Sequence, residues 1–144
     1  MKRTIALATL AVLALTAVAF AQDFGAFTMD VAGGWTASQE GPTAVVTKDD
    51  KSASLSITVM PAEGNNAKTF ADAFVEEFKK SFATVGTPEA QDDGSYEWEM
   101  AAANGVKSNV MLGVEDDKCK LVVITNLEAA PDEIVAMMES IKEK

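Results

Sequence analysis

The chain has 144 residues and a net charge of −10, from 12 basic and 22 acidic side chains, and 48% of its residues are apolar. A chain this acidic is not expected to bind nucleic acid, and its apolar content excludes a disordered or collagenous protein. The length fits one domain rather than several. These quantities leave one small acidic domain and do not specify its activity.

The first 21 residues have the features of an export signal. Lys2 and Arg3 form a cationic start, residues 4–20 contain only Ala, Leu, Val, Ile, Phe and Thr, and the segment closes with Ala19-Phe20-Ala21. Small residues at these last positions fit a signal peptidase, so we expect cleavage after Ala21. The alternative is an uncleaved anchor, which needs about 20 apolar residues to cross a membrane. The residue directly after Ala21 is Gln22 and not a cysteine, so we expect no lipid anchor and no stable membrane anchor after cleavage.

Residues 22–144 are expected to form a single exported domain, periplasmic or secreted. Without Lys2 and Arg3 this part has ten basic and 22 acidic residues, a net charge of −12. Its only cysteine is Cys119, so no internal disulfide can form. The domain must be stabilised by packing alone.

Four strands are predicted before the first helix. Phe27, Met29 and Val31 alternate with polar residues, and Trp35 opens a second strand after two glycines. A third strand is expected at residues 43–47. The fourth covers residues 52–59, where Ala, Leu, Ile and Val alternate with Ser and Thr, which indicates an antiparallel sheet with a polar face partly open to water.

One amphipathic helix is predicted to cover the core. Thr69 resembles an N-cap, with Asp72 three residues later, and Gly86 is the expected end of this region. Four phenylalanines at intervals of four form a stripe that we expect to be buried against the sheet: Phe70, Phe74, Phe78 and Phe82.

Three more strands and a second helix follow. Tyr96, Trp98 and Met100 alternate with Glu97 and Glu99, and Asn104-Gly105 predicts a two-residue hairpin turn into the next strand. Residues 121–124 are apolar on both faces and are expected to form a central strand. The last helix is predicted to begin at Pro131, and its expected buried residues are Ile134, Met137, Met138 and Ile141. The predicted fold class is α+β, an antiparallel sheet of about seven strands packed by two helices.

The opening strand resembles that of the PsbP-like superfamily. The residues Phe27-Thr-Met-Asp-Val-Ala-Gly-Gly-Trp35 are similar to its aromatic, alternating strand followed by Leu-Pro-x-Gly-Trp, although Ala32 stands where Pro is usual. The strand at residues 52–59, the Phe-striped helix and the closing strand and helix come in matching order. The resemblance, which extends to DcrB-like bacterial exported proteins, implies a three-layer α/β/α sandwich. It also implies a non-catalytic accessory or binding role.

The sequence lacks the residues of common catalytic and metal sites. There is no histidine, and one cysteine cannot form a thiolate cluster. No nucleophile elbow, phosphate loop or dinucleotide fingerprint occurs. We therefore assign no catalytic, cofactor-binding or metal-binding residues and expect no cofactor.

Four groups of residues each allow a functional and a structural interpretation. Cys119 lies between two lysines but is expected to be buried on the face of Leu121. The aromatic residues Trp35, Tyr96 and Trp98 are expected in the core rather than in a ligand groove. Three acidic turns, at residues 49–50, 92–93 and 115–117, are expected to be solvated rather than to bind calcium.

The last of these groups is Glu97 with Glu99, on one strand face. These side chains are about 7 Å apart, which a glycosidase pair would allow, but a solvated face is the preferred interpretation.

The expected function is a non-enzymatic, exported accessory or protein-binding module. Its expected partner is another periplasmic or envelope protein, because the acidic surface favours a basic partner. The alternative is a periplasmic protein that binds a small ligand or a divalent cation. The sequence does not specify the oligomeric state.

Overall fold

The structure is a computed structural model that describes residues 20–144. The predicted export signal therefore lies outside the described residues, except for Phe20 and Ala21. The strands are β1 Phe20–Asp23, β2 Phe27–Val31, β3 Trp35–Glu40, β4 Thr43–Lys48, β5 Ser54–Pro61, β6 Thr84–Val85, β7 Glu89–Ala90, β8 Tyr96–Ala101, β9 Lys107–Glu115, β10 Lys118–Thr125 and β11 Lys142–Glu143. The helices are α1 Ala67–Phe78, a 3-10 helix Leu127–Ala129 and α2 Pro131–Glu139. Over residues 20–144, no helix has the length and apolar character needed to span a membrane.

The main sheet is antiparallel and has eight strands in the order β3-β4-β5-β10-β9-β8-β6, with β7 also paired to β8. β10 lies at its centre, and its residue Val122 is opposite Ile57 on one side and Met111 on the other. The predicted central strand at residues 121–124 is confirmed, because its side chains are enclosed on both faces of the sheet. The predicted α+β class is also confirmed.

One face of the main sheet packs against a second sheet and a helix. The second sheet has the order β1-β2-β11 and lies with α2 over β3, β4, β5 and β10. The alternating residues of β2 point into this core, and Phe27 and Met29 are each 1% exposed. The predicted alternation of the opening strand and of β5 is thereby confirmed.

Helix α1 covers the opposite face, over β8, β9 and β10. The residues at its buried centre are Ala67, Ala71 and Val75, whereas the phenylalanines Phe70, Phe74, Phe78 and Phe82 are half-buried along its flank. The predicted phenylalanine stripe does pack against the sheet, since all four rings contact the core, but the rings are half-buried at its side rather than fully buried. Small residues at the centre let the helix backbone approach the sheet closely, and the rings fill the space beside it.

The boundaries of α1 also differ from the prediction. Its N-cap is Asn66, whose side-chain oxygen accepts a hydrogen bond of 2.9 Å from the backbone N–H of Thr69, so Thr69 is not the cap. The helix ends at Phe78, and the short strand β6 precedes Gly86. Asn competes with Thr for the same capping position, which is why the nearby Thr69 was misleading.

The two-residue hairpin turn lies at a different place from the predicted one. The prediction of a two-residue turn at Asn104-Gly105 was wrong: residues 102–106 separate β8 from β9, and of the two predicted turn residues only Gly105 has a left-handed conformation, at φ +87°. The turn with two left-handed residues is Asp116-Asp117, at φ 51° and 57°, between β9 and β10. Asp tolerates this conformation better than most residues, and such a turn matches the twist of a tight hairpin.

The end of the chain follows the prediction only in part. Helix α2 does begin with Pro131, and Ile134 and Met137 are buried at 0% and 1% exposure. Met138 is only half-buried, and Ile141 lies beyond the helix. The residues after the helix form β11, which adds a strand to the second sheet.

The coverings of the two faces are offset, so each face has an open half. On the α1 side, β3, β4 and β5 carry a polar surface. Two rows of directly opposed residues cross these strands there, Thr36–Thr47–Ser54 and Glu40–Thr43–Thr58. This open half was predicted from the Ser-rich strand. On the α2 side, β8 and the edge of β9 are open, and this is the region of the candidate site.

Candidate functional site

A groove of about 610 Å³ lies on the α2 side of the sheet, where the end of α2 stands over β9 and β10. Its floor contains the apolar side chains of Met111 and Val122, which are direct neighbours across the two strands. Its wall is formed by Met138 and Ile141. The groove therefore has an apolar centre built from the sheet and from the end of the last helix.

Gly113 deepens the floor of the groove. It lies opposite Lys120 in the register of β9 and β10 and beside Ser95. Its backbone is outside the left-handed region, and a Cβ built on it would meet the Cβ of Ser95 at 3.7 Å, an ordinary contact. The strand would thus accept a side chain here, and its absence leaves space above the sheet.

Polar groups at the rim of the groove are already bonded to their neighbours. Lys120 lies 3.9 Å from the Glu143 carboxylate, and the Nζ of Lys118 donates to the carbonyl oxygen of Lys144 at 3.1 Å. The carboxylate of Asp93 accepts hydrogen bonds from the hydroxyl and the backbone N–H of Ser95, at 2.5 and 2.9 Å. The hydroxyl bond, followed by the backbone bond, lowers the pKa of Asp93 below its ordinary value.

An acidic row continues from the floor of the groove across the open half of the sheet. Glu97 is directly opposite Met111, and Glu89 is directly opposite Glu97 on its other side. Glu99 lies two residues further along β8, and all three carboxylates are exposed. Within residues 20–144, no lysine comes within 4.0 Å of any of the three. We call Glu89, Glu97 and Glu99 the acidic row.

Glu97 and Glu99 lie on one face, as predicted, but they do not line the groove. Both side chains are exposed on β8, outside the groove. This arrangement supplies no enclosed position for a sugar ring between two carboxyl groups, which glycoside hydrolysis requires.

The three aromatic candidates do not come together. Trp35 is in the core under the second sheet, whereas Trp98 is in the core under α1, on the other side of the main sheet. The indole N–H of Trp35 donates to Glu133 at 2.7 Å, and Lys48 lies 3.3 Å from the same carboxylate. Tyr96 is half-buried beside the α1 core. The interpretation of the two tryptophans as core residues is confirmed.

Cys119 is fully buried in the core under α1, with Leu121 in the same cluster. Its two lysine neighbours alternate onto the opposite face of the strand, where they reach the rim of the groove. Burial raises the pKa of the Cys119 thiol to about 11. The thiol is thus held protonated and away from solvent, which confirms its interpretation as a small core residue.

The three acidic turns lie at different places in the fold. Asp49 accepts a hydrogen bond from Thr36, Asp50 from Ser52, and Asp117 from the backbone N–H of Gly64. In the part of the chain that the structure describes, no three acidic or cysteine side chains converge on one point. Asp50 is thus bonded within its own turn, whereas Asp49 is bonded to β3 and Asp117 to the loop at Gly64.

Reasoning from the sequence did not identify the groove. Lys120 alternates with Cys119 and Leu121, which were expected to share a buried face. Met111 and Gly113 alternate with Val110 and Leu112, which are buried under α1. All three therefore occupy the second face. Met138 and Ile141 were identified as apolar but were assigned to the core. One signal for the groove was present in the strand at residues 107–115. Met111 and Gly113 alternate there with valines and a leucine, and alternation places them together on the other face of the sheet.

Neither a protein-family model nor a curated protein sequence matches the chain. Among solved structures, the cyanobacterial PsbP protein (CyanoP) of Synechocystis sp. PCC 6803 superposes with a TM-score of 0.54 at 8% identity, over 89% of this chain and 94% of that one. A protein of Bacteroides thetaiotaomicron VPI-5482 matches with a TM-score of 0.48 and 12% identity, over 88% of this chain and 48% of that one. The first match spans nearly all of both proteins. The chain therefore has a PsbP-like fold.

Proposed function

We propose that this chain is a non-enzymatic, exported binding module and that the groove over β9 and β10 is its docking surface for another protein of the periplasm or envelope. The observation that carries the proposal is the groove itself, an apolar floor and wall with a charged rim. Protein interfaces have this arrangement of an apolar centre and a polar border.

The rim favours a protein partner over a small polar ligand. Sites for small molecules use a few convergent polar groups to orient the ligand. Here the ammonium groups of Lys118 and Lys120 and the carboxylate of Asp93 are engaged by neighbouring groups. The part of the groove that is left to contact a ligand is its apolar centre, which suits an apolar side chain of a protein partner.

Site-specific photocrosslinking tests this docking surface. A photoreactive residue is placed at Met138, in the groove wall, and a matched one at Ser38, which is exposed on the polar half of the opposite sheet face. In cells of the source organism, the Met138 position is expected to give one saturable crosslinked partner that excess unlabelled chain displaces. Equal products from both positions, or background products alone, would contradict the proposal.

A second candidate function is the binding of a small apolar ligand in the same groove. The volume of about 610 Å³ lies within the usual range for small-molecule sites and favours this candidate. A thermal-shift screen with fatty acids, indole and the divalent cations calcium and manganese separates the two. A ligand present at 100 times its dissociation constant raises stability by about 2.7 kcal/mol, so a true ligand shifts the melting temperature by several degrees. No shift with any compound would eliminate this candidate.

A further inference from the structure

We infer that the groove takes a basic peptide segment of the partner, with one apolar side chain seated in the groove and lysine or arginine side chains paired with the acidic row. This inference rests on the proposed function and specifies the chemistry of the partner. Its two halves are the apolar floor around Met111 and the adjoining carboxylates of Glu89, Glu97 and Glu99.

The apolar half is suited to a single anchoring side chain. Gly113 opens the floor, and Met111 and Met138 border the space with flexible thioether side chains. Methionine adapts to apolar groups of different shapes. A leucine-sized or phenylalanine-sized side chain fits within this space, and the groove of about 610 Å³ leaves room for the peptide backbone beside it.

The acidic half is electrostatically unfavourable without a partner. Glu89 and Glu97 are directly opposite across two strands, and like charges in that position destabilise a sheet. No cation within residues 20–144 is paired with them, and Lys107, which shares this face of β9, lies opposite Ala101 rather than opposite a glutamate. A cationic partner would relieve the repulsion.

The spacing between the two halves suits an extended peptide. Neighbouring strands are about 4.8 Å apart, so Glu97 on β8 lies about 10 Å across the sheet from Val122 on β10. An extended chain advances about 3.3 Å per residue, which places a cation about three residues after the anchor over Glu97. One residue further reaches toward Glu89.

Charge disfavours the other occupants of such a surface. A second copy of residues 22–144 would bring the same net charge of −12 and the same acidic row. An anionic membrane surface would be repelled in the same way. The negative electrostatic potential of the chain instead attracts a basic segment and accelerates its association.

The direct test uses synthetic peptides and residues 22–144. The probe is Ac-Ser-Leu-Ser-Ser-Lys-Lys-Ser-amide, labelled for fluorescence anisotropy, and two matched peptides replace both lysines by glutamate or the leucine by serine. We expect the probe to bind, and we expect its affinity to fall as sodium chloride is raised from 0.05 to 0.5 M, because exposed charge pairs are screened. Both matched peptides are expected to bind at least fivefold more weakly.

Protein variants then locate the contacts. The double variant Glu97→Gln, Glu99→Gln is expected to weaken binding about fivefold. The control is Glu76→Gln, Glu77→Gln, which changes net charge equally but on exposed positions of α1. Gly113→Val is expected to abolish binding while the chain stays folded, because a β-branched residue suits a strand and its Cβ meets no close contact.

The outcomes distinguish the basic-peptide inference from the proposed docking surface. Equal affinity for the lysine and glutamate peptides, or equal weakening by both double variants, would overturn the basic-peptide inference. If crosslinking through Met138 still gives a saturable partner, the docking surface stands with a different partner chemistry. If neither experiment detects binding at the groove, both the proposed function and the inference are wrong.

Discussion

The two tryptophans show how one residue type is used in two ways. The indole N–H of Trp35 is bonded to Glu133, and Lys48 lies 5.7 Å from the centre of its ring. The indole N–H of Trp98 is buried without any hydrogen-bond partner among residues 20–144. A satisfied buried donor stabilises a fold, whereas an unsatisfied one carries a desolvation cost.

Replacing each tryptophan by phenylalanine is therefore expected to have unequal effects. Trp35→Phe removes a hydrogen bond and a cation contact, while Trp98→Phe removes a buried donor that has no partner. We expect Trp35→Phe to lower the free energy of unfolding by about 1–2 kcal/mol more than Trp98→Phe does. Urea unfolding of both variants measures the difference, and equal losses or the reverse order would refute this account of the two side chains.

The buried thiol predicts a loss of stability in alkali. The pKa of Cys119 is about 11 in the folded chain, against an ordinary value of 9.0 that applies when the chain is unfolded. Between these values the unfolded thiol loses its proton first, so this contribution is fully present below pH 9 and is lost as the pH rises toward 11. The full loss is about 3 kcal/mol.

Cys119→Ala supplies the comparison for the alkaline effect. Urea unfolding at several pH values between 8 and 11 includes the titration of tyrosine and lysine in both proteins, so only the difference between the curves reports the thiol. We expect the original chain to lose more stability over this interval than the variant. Parallel curves would show that the thiol is not held protonated by burial.

At the scale of elements, the strands were more predictable than the helix. A strand alternates with a period of two, so β2, β5 and the two-faced β10 were identified from apolar spacing alone. Helix α1 was located and its phenylalanines were expected on the covered side, but the depth of their burial was not predictable, because a row that includes alanines lies next to them on its surface. Which row faces the sheet depends on how closely the helix approaches, and that is a property of the packed molecule.

The candidate site was less predictable for a related reason. The groove forms where residues from β9, β10 and the end of α2 meet, and their sequence separation conceals this proximity. The acidic residues Glu97 and Glu99 were identified, but their relation to Met111 depends on the strand register. Short strands such as β6, β7 and β11 were missed because two residues give no periodicity.

The observed N-cap of α1 gives a prediction at this scale. Asn66→Ala removes the side-chain acceptor that satisfies the Thr69 backbone N–H, and it is expected to cost about 1 kcal/mol of stability. Thr69→Ala is the comparison. It removes a hydroxyl that donates to the same Asn66 oxygen at 3.0 Å, but it keeps the capping acceptor and places alanine, a better helix former, inside the helix, so we expect a change of less than about 0.5 kcal/mol. Thermal and urea unfolding compare them, and a larger loss from Thr69→Ala would return the cap to that residue.

At the scale of the whole molecule, offset layers leave one polar and one partly apolar open surface. The second sheet and α2 stop short of β8, and α1 stops short of β3 and β4. The open half on the α1 side carries hydroxyl groups, whereas the half on the α2 side joins the groove to the acidic row. Because only the second surface combines apolar space with unpaired charge, the proposed docking belongs there.

The export proposal gives a prediction for the whole molecule. Protein recovered from the source organism is expected to begin at Gln22, which intact-mass and N-terminal peptide measurements would detect. A chain of residues 22–144 should melt within a few degrees of one that begins at Phe20. Phe20 and Ala21 are exposed, while Asp23 keeps its ion pair with Lys144. A retained leader, or unfolding on removal of residues 1–21, would contradict this.

The most direct test of the docking surface is NMR chemical-shift mapping of ¹⁵N-labelled residues 22–144 during titration with the leucine–lysine peptide. We expect the largest changes at the amides of Met111, Gly113, Val122 and Met138, with smaller changes at Glu97 and Glu99, and no change at Thr47 and Ser54 on the opposite face. Largest changes at Thr47 and Ser54, or no change at millimolar peptide, would contradict it.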